Sequence, residues 1–198
     1  MRAFLAVELS EALREQIARV QQQLKHVLAG VHGARLTWVK PAAIHLTVKF
    51  LGDFEDRHVD GLREKTVAAI GGHAVLDIPL SRLGAFPKPQ APRTLWVGPP
   101  ATWESTEPAG ALGRLVRAID ATSAEFGVER ERQVWRPHLT LARVRVGERQ
   151  VGRALERSGI TNQSLSLDAL RVDALVLMQS DLRPDGPVHT PLWTIQLS

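Results

Sequence analysis

The sequence contains no cysteine among its 198 residues. Disulfide bonds and thiolate-bound metals are therefore excluded, and a reducing cytoplasm is the expected location. No apolar run approaches the roughly 20 residues that a membrane-spanning helix needs, so no membrane contact is expected. Glu8 stands where a signal peptide would continue its apolar segment, which indicates a strand at the N-terminus instead. We expect a monomer.

The histidine spacings of common metal sites are also missing. The sequence has no His-x-x-x-His, no His-x-His, and no carboxylate next to His45 or His138. A metal-dependent hydrolase would need such ligands, so we predict neither a bound metal nor another cofactor.

One short pattern, His-Leu-Thr followed by an apolar residue, occurs twice, at 45–48 and 138–141. The two histidines lie 93 residues apart, about half the chain. Apolar and polar residues alternate in both copies, which is typical of a strand with one buried face, so each histidine shares a face with its threonine. An imidazole beside a hydroxyl can exchange a proton and donate a hydrogen bond to an anion. Two such pairs would meet if the halves packed face to face.

The periodicity of the remaining chain predicts an α+β protein. Helices are expected between Ser10 and Gly30, over 57–70, between Pro108 and Gly127, and over 148–157; strands are expected at 3–9, 36–40, 44–51, 75–83, 93–98, 138–144, 164–171, 173–180 and 189–197, with a turn-rich loop at 181–187. The repeated order predicts two pseudo-symmetric lobes, each an antiparallel sheet with helices on its outer face, and an active-site cleft between the sheets. Residues 1–198 would form one bilobal domain with lobes of roughly 1–99 and 100–198, and exchange of the terminal strands stays open.

Positive charge is concentrated around the second motif. Residues 130–157 contain eight arginines and three acidic residues, within a chain of formal net charge +4. Such a patch suits a polyanion such as RNA, although a solvated arginine-rich helix face would produce the same pattern.

The motifs and their flanks resemble the two-histidine phosphoesterase superfamily, and within it the RNA 2′,3′-cyclic phosphodiesterases, also called 2′-5′ RNA ligases. The resemblance is carried by both His-Leu-Thr motifs and by six flanks: Arg2–Leu9, Trp38–Val39, Lys49–Gly52, Leu83–Pro87, Pro92–Gly98 and Arg136–Arg143. One departure is His189, at a position where the family commonly has tyrosine and where we expect scaffold or rim.

The resemblance implies metal-independent hydrolysis of 2′,3′-cyclic phosphate ends of RNA, such as tRNA fragments, to 2′-phosphates, with reversible 2′-5′ RNA ligation as a minor activity. His45 would be the proton donor and His138 the proton acceptor. Thr47 and Thr140 can donate hydrogen bonds to the non-bridging oxygens. Arg143 would contact the phosphate, which requires a bulge or strong twist after Thr140, because strict alternation points it away from His138.

Three further side chains are candidates for substrate contact. Phe50, at the place in the first motif that Arg143 holds in the second, is either a surface for base stacking or a core residue. Phe86, beside prolines in an expected exposed loop, is a candidate for substrate contact. Lys49 shares the predicted open face with His45 and is either a phosphate contact or a solvated lysine.

Two other functions remain compatible with the sequence. One is an RNA-end binding module that has lost turnover. The other is a two-histidine phosphodiesterase that acts on a small cyclic nucleotide or a 2′-5′ oligonucleotide.

Overall fold

The computed structural model describes residues 1–183 and 186–198. The described chain has a mixed α+β fold with antiparallel sheets, which confirms the predicted class. The α-helices are α1 (Glu11–Leu28), α2 (Val59–Ile70), α3 (Glu107–Ala124) and α4 (Glu148–Ser158). The strands are β1 (Arg2–Val7), β2 (Arg35–Trp38), β3 (Leu46–Asp53), β4 (Leu76–Ile78), β5 (Arg82–Phe86), β6 (Thr94–Gly98), β7 (Leu139–Val146), β8 (Leu170–Val172), β9 (Ala174–Arg183) and β10 (Gly186–Gln196).

The two motif strands lie next to each other in the main sheet. Its order is β10-β9-β1-β3-β7-β6-β5, and β2 also pairs with β7. We call the β10-β9-β1-β3 part the first wing and the part formed by β7, β6, β5 and β2 the second wing. A single antiparallel pair, Leu46 with Leu139, joins the wings. Strands from both halves of the sequence contribute to each wing, and the proposed lobe boundary near residue 99 stays a prediction.

The helices cover one face of this sheet and create the main core. Ser10 caps α1 by accepting a hydrogen bond from the Leu13 amide, and the buried stripe of α1 packs against the sheet. Leu5 and Leu177 point into this core. Their neighbours Phe4, Ala6, Val176 and Met178 form a separate small cluster, as expected for alternate residues on the opposite face. That opposite face, away from the helices, also carries the motif histidines, and we call it the site face.

Both motif strands contain the same irregularity. The register of β1 against β3 skips Val48, and the register of β6 against β7 skips Leu141. Each skipped residue is a β-bulge, which reverses the alternation of the residues after it. Arg143 therefore returns to the face of Thr140, and Phe50 does the same in β3. The bulge expected after Thr140 is confirmed.

The bulge in β3 explains why both interpretations of Lys49 are wrong. Lys49 is only 7% exposed, and its Nζ donates to Asp120 Oδ1 at 2.6 Å and to the Glu129 carbonyl at 2.7 Å. The extra residue at Val48 turns the lysine toward α3 and away from the site face. Its ion pair with Asp120 connects the first wing to helix α3.

The C-terminal hairpin is longer than the sequence predicted. Residues 181–183 belong to β9 and residues 186 and 187 to β10, so this part of the predicted 181–187 loop is strand. Pro184 and Asp185 lie outside the described residues. In the two described ranges, none of the helices has the length and apolarity needed to cross a bilayer.

We predict that Lys49→Met lowers the free energy of unfolding by about 2–4 kcal/mol, because it leaves the Asp120 carboxylate largely buried without its cation. Lys65 makes a comparable ion pair with Glu125 at 3.0 Å, but both of these side chains are more than half exposed. The control Lys65→Met should therefore change stability by less than about 0.5 kcal/mol. Denaturant unfolding of both variants measures the difference, and equal effects would contradict the structural role of Lys49.

Candidate active site

The two motif histidines are held in the same way. His45 Nδ1 lies 2.9 Å from the Ala43 carbonyl oxygen, and His138 Nδ1 lies 2.8 Å from the Arg136 carbonyl oxygen. A carbonyl oxygen only accepts, so each Nδ1 must carry the hydrogen. In both rings Nε2 is therefore the nitrogen that can take or give a proton.

The pairing of the motif strands brings the two motifs together. Leu46 and Leu139 pair and point into the core, so the residues beside them point to the site face. Continuing the antiparallel register by one residue sets His45 opposite Thr140 and Thr47 opposite His138. The Trp135 indole also donates a hydrogen bond to the Thr47 carbonyl at 3.1 Å, which connects the approach to the second motif with the first motif strand. Each imidazole thus lies beside the hydroxyl of the other motif.

An aromatic ring supports each histidine. Phe4 stacks on His45 with centroids 4.6 Å apart, and Phe86 contacts His138 edge to face at 5.0 Å. Phe86 is the last residue of β5 and is half-buried, so the prediction that it stands in an exposed loop is wrong. Its side chain nevertheless lies at the site, because alternation along β5 turns it to the site face.

The two residues that follow the bulges are placed alike but differ in chemistry. Phe50 is 65% exposed, 6.2 Å from Phe4 between ring centroids, and is therefore no core residue. Arg143 is exposed on the site face, and its charge acts on His138. The first wing thus offers an apolar ring at the position where the second wing offers a guanidinium.

His189 is part of the site, which the sequence analysis missed. Its ring is perpendicular to that of His45, with centroids 5.3 Å apart, and lies 4.9 Å from Phe4. Its Nδ1 is buried and has no hydrogen-bond partner within residues 1–183 and 186–198. The structure thus places His189 beside a motif histidine, and the expectation that it is scaffold or rim stays a prediction. The contact depends on β10 pairing with β9 and β9 pairing with β1, and no local pattern reveals these pairings.

The surroundings hold both histidines neutral in the ligand-free protein. Burial lowers the pKa of His45 to about 4, the neighbouring His189 and Arg14 act in the same direction, and the bond to the Ala43 carbonyl opposes them. Burial also lowers the pKa of His138; the bond to the Arg136 carbonyl opposes this effect and the charge of Arg143 adds to it. A bound anion would oppose both shifts, because it favours the charged imidazole.

Comparisons with known proteins fit this geometry. The family described as LigT like Phosphoesterase matches residues 7–96. A curated relative from Methanothermobacter thermautotrophicus, named RNA 2′,3′-cyclic phosphodiesterase, is 30% identical over 197 residues, which cover 100% of this chain and 99% of the relative. The chain belongs to the LigT-like phosphoesterase family.

Solved structures agree on the fold of this phosphoesterase. The crystal structure of TT0787 from Thermus thermophilus matches with a TM-score of 0.73 at 25% identity, covering 100% of this chain and 98% of that one. The crystal structure of E. coli LigT complexed with 3′-AMP matches with a TM-score of 0.71 at 21% identity, covering 100% and 97% of the two chains. The similarity to E. coli LigT shows the fold alone.

The site face carries imidazoles, hydroxyls and guanidinium groups. Within the part of the chain that the structure describes, no group of three or more His, Asp or Glu side chains could hold a metal ion.

We predict that His189→Gln raises the pKa of His45, because it removes a neighbouring group that can carry positive charge. The His189 ring lies next to that of His45, and a positive charge on it opposes protonation of His45. Glutamine keeps a polar side chain but cannot carry this charge. The ring resonances of His45, followed by NMR across a pH titration, measure the shift. The exposed His32→Gln control should leave it unchanged, and a His45 pKa that is unchanged or lower in His189→Gln would contradict the coupling.

Proposed function

We propose that this phosphoesterase hydrolyses the 2′,3′-cyclic phosphate ends of RNA to 2′-phosphates by acid–base catalysis with its two histidines. The observation that carries the proposal is the matched pair of imidazoles, each oriented by an Nδ1–H bond to a backbone carbonyl and each opposite a threonine. The names of curated relatives support the substrate, since those from Methanothermobacter thermautotrophicus and Archaeoglobus fulgidus are both called RNA 2′,3′-cyclic phosphodiesterase.

The reaction needs one proton removed and one delivered. Water attacks phosphorus in line with the 3′ oxygen, and His138 Nε2 accepts the proton that the water loses. The bond from phosphorus to the 3′ oxygen breaks, and His45 Nε2 donates the proton that this oxygen gains. The product carries a 2′-phosphate and a 3′-hydroxyl. A 5′-hydroxyl that attacks in place of water, losing its proton to His138 while His45 protonates the leaving 3′ oxygen, would instead form a 2′-5′ phosphodiester.

The remaining site residues bind the phosphate and the nucleoside in this proposal. The hydroxyls of Thr47 and Thr140 donate to the non-bridging oxygens, whose negative charge increases in the transition state. Arg143 adds a positive charge on the His138 side. Phe50 and Phe86 offer flat apolar surfaces at the two ends of the site, where a base can stack.

The protonation state needed for catalysis depends on the substrate. Without a ligand, both imidazoles have pKa values below the ordinary histidine value, and that of His45 is about 4. His45 can act as the acid near neutral pH only after the phosphate anion has raised its pKa. Substrate binding thus prepares the acid, and a ligand-free site stays uncharged at both histidines.

The first test is hydrolysis of a nucleoside 2′,3′-cyclic phosphate in excess EDTA, with the product identified by phosphorus NMR. We expect turnover to the 2′-phosphate. His45→Ala and His138→Ala should each lose about a hundredfold or more in kcat while remaining folded, because each removes one proton-transfer group. A substrate with sulfur in place of the leaving 3′ oxygen needs no protonation of that atom, so it should rescue His45→Ala and not His138→Ala.

Each contrary outcome removes a different part of the proposal. Folded wild-type protein without turnover would contradict the cyclic phosphodiesterase activity and favour a binding module. Loss of activity with EDTA would contradict metal independence. Rescue of His138→Ala by the sulfur substrate would exchange the roles of the two histidines.

We predict a bell-shaped pH profile of kcat/KM with its maximum below about pH 6.5, the ordinary histidine pKa. This ratio reports the free enzyme, in which the pKa values of both histidines are lowered, so the singly protonated site is most populated between the two lowered values. The kcat profile should lie at higher pH, because the bound anion raises both pKa values. Measurement from about pH 4 to about pH 9 checks this; a flat profile, or a kcat/KM maximum above about pH 7, would count against it.

A further inference from the structure

Arg82 lies in one row with His138 across the second wing. Arg82 pairs with Gly98 between β5 and β6, and Val97 pairs with Leu139 between β6 and β7. Continuing the pairing of β6 with β7 by one residue beyond Val97 sets Gly98 opposite His138. The close approach there supports this, since a Cβ on Gly98 would lie 2.9 Å from the Pro137 carbonyl oxygen. Gly98 therefore leaves the surface between Arg82 and His138 without a side chain.

Arg82 is on the same face of the sheet as the catalytic groups. Leu83 and Val97 point into the helix-covered core, so their neighbours Arg82 and Trp96 point to the site face. Trp96 pairs with Thr140 of the second motif and contacts both Phe86 and His138. The side chains from Arg82 to His138 thus form one continuous surface.

The Arg82 guanidinium lies over the indole of Trp96. Its Cζ is 5.0 Å from the ring centroid, and that ring is 6.3 Å from the His138 ring. The guanidinium is therefore no more than about 11 Å from the imidazole, a span that one nucleotide unit can bridge. Gly84 makes this arrangement fit, because a Cβ there would collide with the indole.

The charge of Arg82 is not neutralised by a carboxylate. Among the described residues Arg82 forms no ion pair, and its Nε is buried without a hydrogen-bond partner. Stacking on an indole holds a guanidinium in place while leaving its edge available to an anion. Its planar fork matches the oxygens of a phosphate.

We propose that Arg82, supported by Trp96, binds the phosphate that precedes the cyclic end, so that this site takes RNA chain ends in preference to cyclic mononucleotides. This inference rests on the proposed function, because it uses the cyclic phosphate between the two histidines as its reference point. It also selects among the substrate classes, since a mononucleotide with a cyclic phosphate has no preceding phosphate.

The test compares three substrates with the same cyclic end: a mononucleotide, a trinucleotide, and a trinucleotide whose last internucleotide linkage is a neutral methylphosphonate. We expect wild-type protein to prefer the trinucleotide in kcat/KM and to lose about tenfold with the methylphosphonate. Arg82→Gln should lower the ratio of trinucleotide to mononucleotide kcat/KM by about the same factor and should no longer distinguish the two trinucleotides. Arg82→Lys keeps the charge without the planar fork. Its ratio of trinucleotide to mononucleotide kcat/KM should lie between those of wild-type protein and Arg82→Gln.

The control is Arg171→Gln, which should leave the ratio unchanged. Arg171 is an exposed residue of the small β4–β8 sheet, where it faces Asp77 and also Asp173, the residue after β8. Equal losses on mononucleotide and trinucleotide in Arg82→Gln would overturn the subsite, as would a wild-type protein that does not distinguish the charged and neutral linkages. The comparison of charged and neutral linkages uses wild-type protein alone, so it tests the proposal even if Arg82→Gln does not fold. Wild-type protein inactive on every substrate would instead contradict the proposed function itself.

Discussion

The site depends on the single antiparallel pair between Leu46 and Leu139. Because both leucines are buried in the core, the residues beside them must point to the other face of the sheet. One pair of apolar residues therefore sets two histidines and two threonines on the same side. A shift of this register by one residue would turn the histidine and threonine of one motif into the core, where their burial without partners is costly. The burial of the leucines thus fixes the geometry of the polar groups.

The second constraint is the burial of the imidazoles themselves. Aromatic rings at 4.6 Å and 5.0 Å hold His45 and His138 in place and also remove water from them. Removal of water favours the neutral ring, and the positive charges of nearby side chains act in the same direction. The charges of Arg14 and Arg143, which help to lower these pKa values, also attract an anion, and an anion in turn favours the protonated imidazole.

Local patterns predicted the parts of this molecule that local physics decides. The alternation in the two motifs and the start of α1 after Ser10 follow from short segments of sequence, whereas the bulge that returns Arg143 to the site was implied by the family resemblance. Lys49 was misjudged because the equivalent bulge in β3 had not been considered, although both motifs have the same spacing. His189 and Phe86 could not be placed, because their contacts depend on which strands pair across the sheet. Those pairings are decided by the packing of the whole core.

The distribution of arginines shows why a basic stretch of sequence is a weak guide to a binding surface. Of the stretch 130–157, Arg143 lies at the site, whereas Arg132 is exposed and pairs with Glu129. Arg145 donates to the Thr37 hydroxyl at 3.3 Å. Arg82, which stands far outside that stretch, lies on the site face without a carboxylate partner among the described residues and with an aromatic ring beneath it. To bind a chain of phosphates, a surface needs cations that have no carboxylate partner and that are spaced like successive nucleotides. Strand pairing can produce this spacing from residues that are distant in sequence.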